Sequence, residues 1–179
     1  MANAREILSR MKSVQDTRKI TNAMYLISST KLKKSKKLLE ETEPYFYSLQ
    51  DLIRRILRHM PDVEHFYFNP RKEIKEEDRV KGLIVITGDK GLAGAYNHNV
   101  LKMAQEWMEQ SKNHRLYVVG ELGRHYFEAR HIQVEEQFHY TVQNPTMHRA
   151  RLISSTILED YEEGRLDEVW IIYTQMINS

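Results

Sequence analysis

Cysteine is absent from the 179 residues, and glycine and proline are scarce, at seven and four. Without cysteine there is no disulfide, no thiolate metal ligand and no cysteine nucleophile. No glycine precedes Gly82, and Pro44 is the only proline among the first 60 residues. The first third of the chain therefore lacks the residues that punctuate turns and reads as helix. Long hydrophobic runs are missing too. The longest, Leu83 to Ile86 and Val169 to Tyr173, fall far short of the ~20 residues that cross a bilayer and read as buried strands. The opening Met1 to Lys12 interleaves charged and apolar residues and has no continuous hydrophobic region of the kind a secretory signal needs.

Signatures of catalysis and metal binding are equally sparse. There is no G-x-S-x-G and no HExxH, and the eight histidines are scattered. The neighbouring carboxylates Glu135-Glu136 and Glu162-Glu163 lie in charged surroundings and read as solvated faces rather than an acid/base pair. From these residues the expectation is no metal site, no activated nucleophile and no recognised cofactor motif.

What is present is a strong internal asymmetry of charge. The whole chain is nearly neutral at +2, yet residues 1–39 hold ten basic groups against two acidic ones, Glu6 and Asp16, while the remainder holds 17 basic and 23 acidic groups. A basic arm of this kind calls for an acidic partner, which sign alone leaves as protein, nucleic acid or membrane surface. The run Lys31-Leu32-Lys33-Lys34-Ser35-Lys36-Lys37 lacks interleaved aromatics, so a protein partner fits better than nucleic acid.

A heptad seam runs along this arm from Ala4 and Ile7 through Met11, Val14, Arg18, Thr21, Tyr25, Ser28, Leu32, Ser35 and Leu39 to Phe46, Leu49, Ile53, Ile56 and Met60. It is apolar at both ends and small or polar in the middle. At 1.5 Å per residue the helix spans roughly 85 Å, more than a body of ~120 residues can cover. Pro44 removes one backbone hydrogen bond. A second helix capped by Thr42 is one outcome, but the seam keeps its phase across the proline, so a kinked continuous helix over residues 1–60 is expected.

Residues 61–80, with two prolines and dense charge, read as a linker or extended strand. Residues 81–179 then alternate strands and helices. Strands are expected at Gly82 to Thr87, Leu116 to Val119, Ile132 to Phe138 and Glu168 to Gln175, and helices around Leu101 to Met108, at Glu121 to Arg130 and at Met147 to Tyr161. The pattern predicts an α/β body built as three layers on a mostly parallel sheet. Between the first strand and the next helix lies Thr87-Gly88-Asp89-Lys90-Gly91-Leu92-Ala93-Gly94-Ala95-Tyr96-Asn97. Its G-x-x-G-x-x-G spacing fits neither the dinucleotide fingerprint nor the phosphate loop. Three readings stay open: a tight turn, an anion site, and a protein-contact loop presenting Asp89 and Lys90.

Four stretches carry a family resemblance. Met11 to Met24 (MKSVQDTRKITNAM), Ile27 to Lys37 (ISSTKLKKSKK), Thr87 to Asn97 (TGDKGLAGAYN) and Glu163 to Asn178 (EGRLDEVWIIYTQMIN) occur in the order found in the gamma subunit of F-type ATP synthases, which the sequence resembles over essentially its full length. Family members commonly have arginine where this chain has Lys90, which replaces a bidentate guanidinium by a point charge. They also continue into a long C-terminal helix that pairs with the N-terminal one. That helix is missing here, so the chain reads as part of a longer protein.

The resemblance implies a central rotor shaft that couples proton-driven rotation to ATP synthesis or hydrolysis at neighbouring subunits, with no catalytic residues of its own. It implies as partners the beta and alpha subunits of the catalytic ring, the epsilon subunit and the membrane c-ring. The implied location is peripheral, at the cytoplasmic face of a bacterial membrane. Arg10, Lys12, Arg18, Lys19, Lys31, Lys33, Lys34, Lys36 and Lys37 would face acidic levers of the ring, and Asp89 and Lys90 match the loop that touches a catalytic subunit from the side. The rival from another class is a phosphate-ligand-binding α/β domain with a coiled-coil dimerisation arm, which predicts saturable nucleotide binding. An unpaired apolar stripe is poorly tolerated in water. The isolated chain is therefore expected to self-associate through the seam or to fray at its N-terminus. Sedimentation over a concentration series, with amide exchange along residues 4–20, checks this, and a monomer with a protected N-terminal helix is the contrary result.

Overall fold

The structure, a computed structural model, describes residues 4–60, 65–68, 71, 73–138 and 142–176. The chain divides into two compact units, Met1–Val63 and Glu64–Ser179.

The first unit is one helix, α1, running Ala4–His59 with Pro44 inside it. Thr42 does not cap a second helix. Its hydroxyl donates back to the Leu38 carbonyl at 2.7 Å, the habit of a threonine within a helix. Just beyond the proline, Ser48 does the same to the Pro44 carbonyl at 2.8 Å, and Thr17, Thr21 and Thr30 each bond the carbonyl four residues back at 2.9 Å. These contacts satisfy the five hydroxyls within the helix itself. No residue of α1 is buried, and Ile7, Met11, Val14, Leu32, Phe46 and Ile53 of the seam are all exposed.

The second unit is the α/β body expected from the alternation. Its elements are β1 (Lys81–Ile86), α2 (Tyr96–Gln110), β2 (His114–Val119), α3 (Glu121–Glu128), β3 (Glu136–Phe138), α4 (Met147–Glu162) and β4 (Glu168–Ile172). The four strands are parallel in the order β3-β2-β1-β4. Because strand side chains alternate faces, the sheet has two cores. Leu83, Val85, Leu116 and Val118 pack with Val100, Leu101 and Ala104 of α2, Phe127 of α3 and Ile172. Ile84, Tyr117, Val119 and Phe138 pack with Ile157 of α4 and Leu166. Helices on both faces of one sheet make the three layers.

Two strand expectations need correction. Ile132 and Val134 lie outside β3, because the Ile132 amide closes the end of α3 by donating to the Phe127 carbonyl at 3.0 Å and is not available to a ladder. β4 is not a buried strand. It pairs with β1 alone among the described strands, and Val169, Trp170 and Ile171 are 40%, 47% and 54% exposed. An apolar run reports a wish for cover, and at the sheet edge the described residues provide cover only for Ile172.

Of the expected linker, residues 61–64, 69, 70 and 72 lie outside the described residues. A short 3-10 turn forms at Phe66–Phe68, and backbone bonds Ile74 to Arg71 and Asp78 to Lys75 fold the segment into turns. The nearly buried Arg71 guanidinium bonds Asp167 at 2.5 Å, the Leu166 carbonyl at 2.7 Å and the Tyr161 carbonyl at 2.8 Å, and lies 4.3 Å above the Tyr161 ring. Asp167 also accepts the Val80 amide at 2.8 Å, which brings the segment to the start of β1. Beneath the sheet, Tyr117 donates a short hydrogen bond to Asp160, which also accepts from Arg165 at 2.7 Å. Burial, followed by that bond to a carboxylate, pushes the Tyr117 hydroxyl well up. Burial pulls the Asp160 carboxyl upward, yet the bonds from Tyr117 and Arg165 outweigh it and hold Asp160 below its ordinary value.

Arg79 donates to Glu168 at 2.8 Å and is the main reason the Glu168 carboxyl is held below its ordinary 4.5. A depressed folded-state value adds stability above the unfolded pKa, which is lost as pH falls through the folded one. Arg79→Gln is therefore expected to lower stability at neutral pH, with the gap to wild type narrowing as pH drops below about 4.5. Urea unfolding at neutral and acid pH measures the gap, and a gap independent of pH contradicts the assignment.

Candidate functional site

Three loops meet at the C-terminal edge of the sheet. β1 runs into Thr87, whose amide and hydroxyl both donate to the Val119 carbonyl at 2.8 and 3.1 Å, while the hydroxyl accepts the Gly123 amide at 3.0 Å. The first turn of α3 is thereby bolted to the end of β1. The close approach requires glycine at 120: its φ is +104°, and a Cβ there would stand 2.3 Å from the Thr87 carbonyl oxygen. Gly88 donates to the Asn97 side chain at 2.7 Å and accepts the Leu122 amide at 3.1 Å, which ties the loop to α2 and to α3.

Asp89 and Lys90, adjacent in sequence, have opposite surroundings. The half-buried Asp89 accepts the Glu121 amide at the start of α3 and the Gln143 amide ahead of α4, each at 3.1 Å. Lys90 is exposed and makes no ion pair among the described residues. Beyond it Leu92 stands 93% exposed with φ +61°. A Cβ at Gly91 or Gly94 would meet open space, so these glycines do not clear room for a close neighbour; at Gly94 it is φ +57° that favours glycine. The side chains of Thr87, Asp89 and Asn97 are each hydrogen bonded to backbone within the body. The loop is a braced platform with a projecting tip.

The nine basic candidates belong to α1. Three are paired along the helix: Arg10 with Glu6 at 2.7 Å, Lys19 with Asp16 at 3.4 Å and Lys37 with Glu41 at 3.8 Å. Among the described residues Lys12, Arg18, Lys31, Lys33, Lys34 and Lys36 make no ion pair. At about 100° per residue, Lys33, Lys34 and Lys37 fall on the side away from Leu32, Ser35 and Leu39, whereas Arg18 lies on the seam itself. The helix thus carries an apolar stripe and a cationic face at the same level. The described residues contain no cluster of His, Cys, Asp or Glu able to hold a metal, and no helix of the structure is long and apolar enough to cross a membrane.

Sequence reading missed Thr87 as a bolt, Gly120 and Gly123 as its steric partners, and Leu92 as the tip. The only local signal was Gly120 standing between a strand and a helix. Gly120→Ala is expected to destabilise the body by about 3 kcal/mol or more, since it combines a left-handed φ with a backbone clash. Urea unfolding measures this, and a loss below about 1 kcal/mol would mean that the two loops separate easily.

Comparison with known proteins bears on the whole chain. The sequence pattern of the family described as ATP synthase matches residues 3–179. The ATP synthase gamma chain of Ruminiclostridium cellulolyticum is 47% identical over 178 residues, covering 99% of this chain and 60% of that protein. The gamma chain of Acetivibrio thermocellus is 45% identical over 179 residues, covering all of this chain and again 60% of the relative. A gamma chain of Acetobacterium woodii described as sodium ion specific is 35% identical over 177 residues, 57% of its length. The chain spans about 60% of the length of these relatives. With its pattern matched almost end to end, its long basic helix and its α/β body, the chain belongs to the ATP synthase gamma-chain family.

Proposed function

We propose that this protein serves as the central stalk of a rotary ATP synthase, turning within a ring of alpha and beta subunits and contributing no catalytic group of its own. The observation that carries the reading is α1: 56 residues of helix with none buried, an apolar stripe along one side and unpaired cations on another. Such a surface requires partners along its whole length. An apolar seam suits a second long helix, and lysines 31, 33, 34 and 36 suit acidic side chains of a surrounding ring.

Polar and small positions in the middle of the seam, Thr21, Ser28 and Ser35, allow close helix approach without a strongly adhesive surface. That suits an element that turns against its surroundings. The body, with its own two-sided core, suits attachment to the epsilon subunit and the membrane c-ring, and the complex would lie at the cytoplasmic face of a bacterial membrane. Rotation would be driven by an ion gradient, of protons or of sodium. One relative is described as sodium ion specific, and the choice of ion lies with the membrane ring. The mechanical task is a population shift: an asymmetric shaft favours a different conformation of each neighbouring catalytic site as it turns.

Reconstitution tests the proposal. This chain, and a version extended by the family's C-terminal helix, are mixed with purified alpha and beta subunits while complex size and ATP hydrolysis are followed. The expected result is that the extended version enters the ring in one copy and stimulates hydrolysis, with the shorter chain weaker or inactive. Failure of both to associate would reduce the resemblance to one of fold, and saturable nucleotide binding at Gly88 to Gly94 would then be the result that favours the rival reading.

A further inference from the structure

Asp89 joins three segments that are far apart in sequence. Its backbone belongs to the loop between β1 and α2, one carboxylate oxygen accepts the amide of Glu121, 32 residues on, and the other accepts that of Gln143, 54 residues on. Directly after this junction the chain turns outward into Lys90 and Leu92. Leu92 contributes nothing to either core at 93% exposure, and its φ of +61° is a conformation that a residue bearing a Cβ adopts only when its surroundings impose it. A large apolar side chain held in this way, beside a cation with no ion pair among the described residues, has the form of a contact point prepared for another molecule.

We propose that Asp89 is a positioning residue: it braces the three loops so that Lys90 and Leu92 are presented in a fixed orientation to a partner subunit, and it does not itself touch that partner. The inference rests on the central-stalk reading and deepens it. The surface that fits the tip offers an apolar socket for Leu92 and an acidic side chain for Lys90, and on that reading it belongs to the catalytic ring. Each Asp89 oxygen receives a backbone amide from a different loop, so the carboxylate is held in place by this chain's own backbone. Lysine at position 90 makes the brace more important. Its ammonium is a point charge without the directional fork of a guanidinium, so orientation has to come from the backbone, and the backbone is held by Asp89. A contact whose geometry is set before binding avoids the entropic cost of ordering the loop on association.

The test uses the chain extended by the family's C-terminal helix and assembled with alpha and beta subunits, and reads affinity by titration together with ATP hydrolysis. The variants are Asp89→Ala, Asp89→Asn, the tip pair Lys90→Ala/Leu92→Ala, and the tip pair combined with Asp89→Ala. Asp89→Ala and the tip pair are each expected to weaken association by about tenfold, and Asp89→Ala to add almost nothing once the tip is gone, as coupled residues require. Asp89→Asn, which keeps one acceptor oxygen, should recover part of the loss. In the free chain, amide exchange at Glu121 and Gln143 should rise in Asp89→Ala while the strands stay protected, and if that variant does not fold, Asp89→Asn carries the comparison. Full additivity of Asp89→Ala and the tip pair, or unchanged affinity in Asp89→Ala, would overturn the positioning role while leaving the central-stalk reading intact. A wild-type chain that does not enter the ring would overturn that reading, and the proposal with it.

Discussion

A helix of 56 residues that buries nothing of its own is the constraint on which the rest of this protein turns. Intrinsic propensities separate the ordinary residues of α1 by only tenths of a kcal/mol, Pro44 is unfavourable, and most helical stability in proteins comes from packing an apolar face. The described chain supplies α1 with local support only: threonine and serine hydroxyls on carbonyls one turn back, and ion pairs such as Arg10 with Glu6. Exposed pairs of this kind contribute about 0.3–0.5 kcal/mol each. On the central-stalk reading, the apolar seam makes this helix one half of a larger packing arrangement. Every functional reading has to place something against it, and a freely soluble binding domain has no reason to maintain so long an uncovered stripe.

The body has a different economy. Its core is complete on both faces of β1 and β2, and the crossing of Thr87 with Gly120 and Gly123 locks two parallel strands and the following helix into one rigid edge. Toward β4 the cover thins. Trp170 leans on Trp107 with ring centres 6.1 Å apart, but Ile171 and Tyr173 stay open to solvent. The rigid edge and the thinly covered edge are distinct surfaces. The first, with its braced loop, is suited to a contact of fixed geometry; the second is an unfinished sheet.

How far the sequence reveals this depends on the range of the interaction. α1 is legible because its signal is local: no glycine, one proline, and a seam that keeps its phase past Pro44. The parallel sheet is legible because β-branched runs alternate with helical periods. The exposure of β4 is not, since Val169-Trp170-Ile171-Ile172 spells an apolar strand whether or not a neighbour covers it. Arg71 escapes for a related reason. In a charged stretch it reads as solvated, and only the fold brings Asp167 and the Tyr161 ring around it, some 90 residues later. Sequence marks Asp89 and Lys90 together as residues a contact loop presents, and it gives no sign that the amides engaging the Asp89 carboxylate come from two other loops. Sequence shows which residues are chemically able to act. Topology decides which are still free to do so.

That distinction carries over to the basic face of α1. A turning shaft gains nothing from a cation that binds equally well in every orientation, because a ligand with equal affinity for two states shifts neither. Only a difference between orientations can do work. Along α1 the charges paired within the helix, Arg10, Lys19 and Lys37, are partly neutralised by their own neighbours, whereas Lys31, Lys33, Lys34 and Lys36 have no such partner among the described residues. They gather beside Leu32, Ser35 and Leu39, just past the small or polar seam positions Thr21 and Ser28, so the densest run of unpaired charge follows the least adhesive part of the seam. On the central-stalk reading, such a segment would register the approach of acidic groups through long-range attraction rather than through close contact. Charge attraction at that range falls off gradually and passes from one neighbour to the next, so it biases successive sites without holding the shaft at any of them.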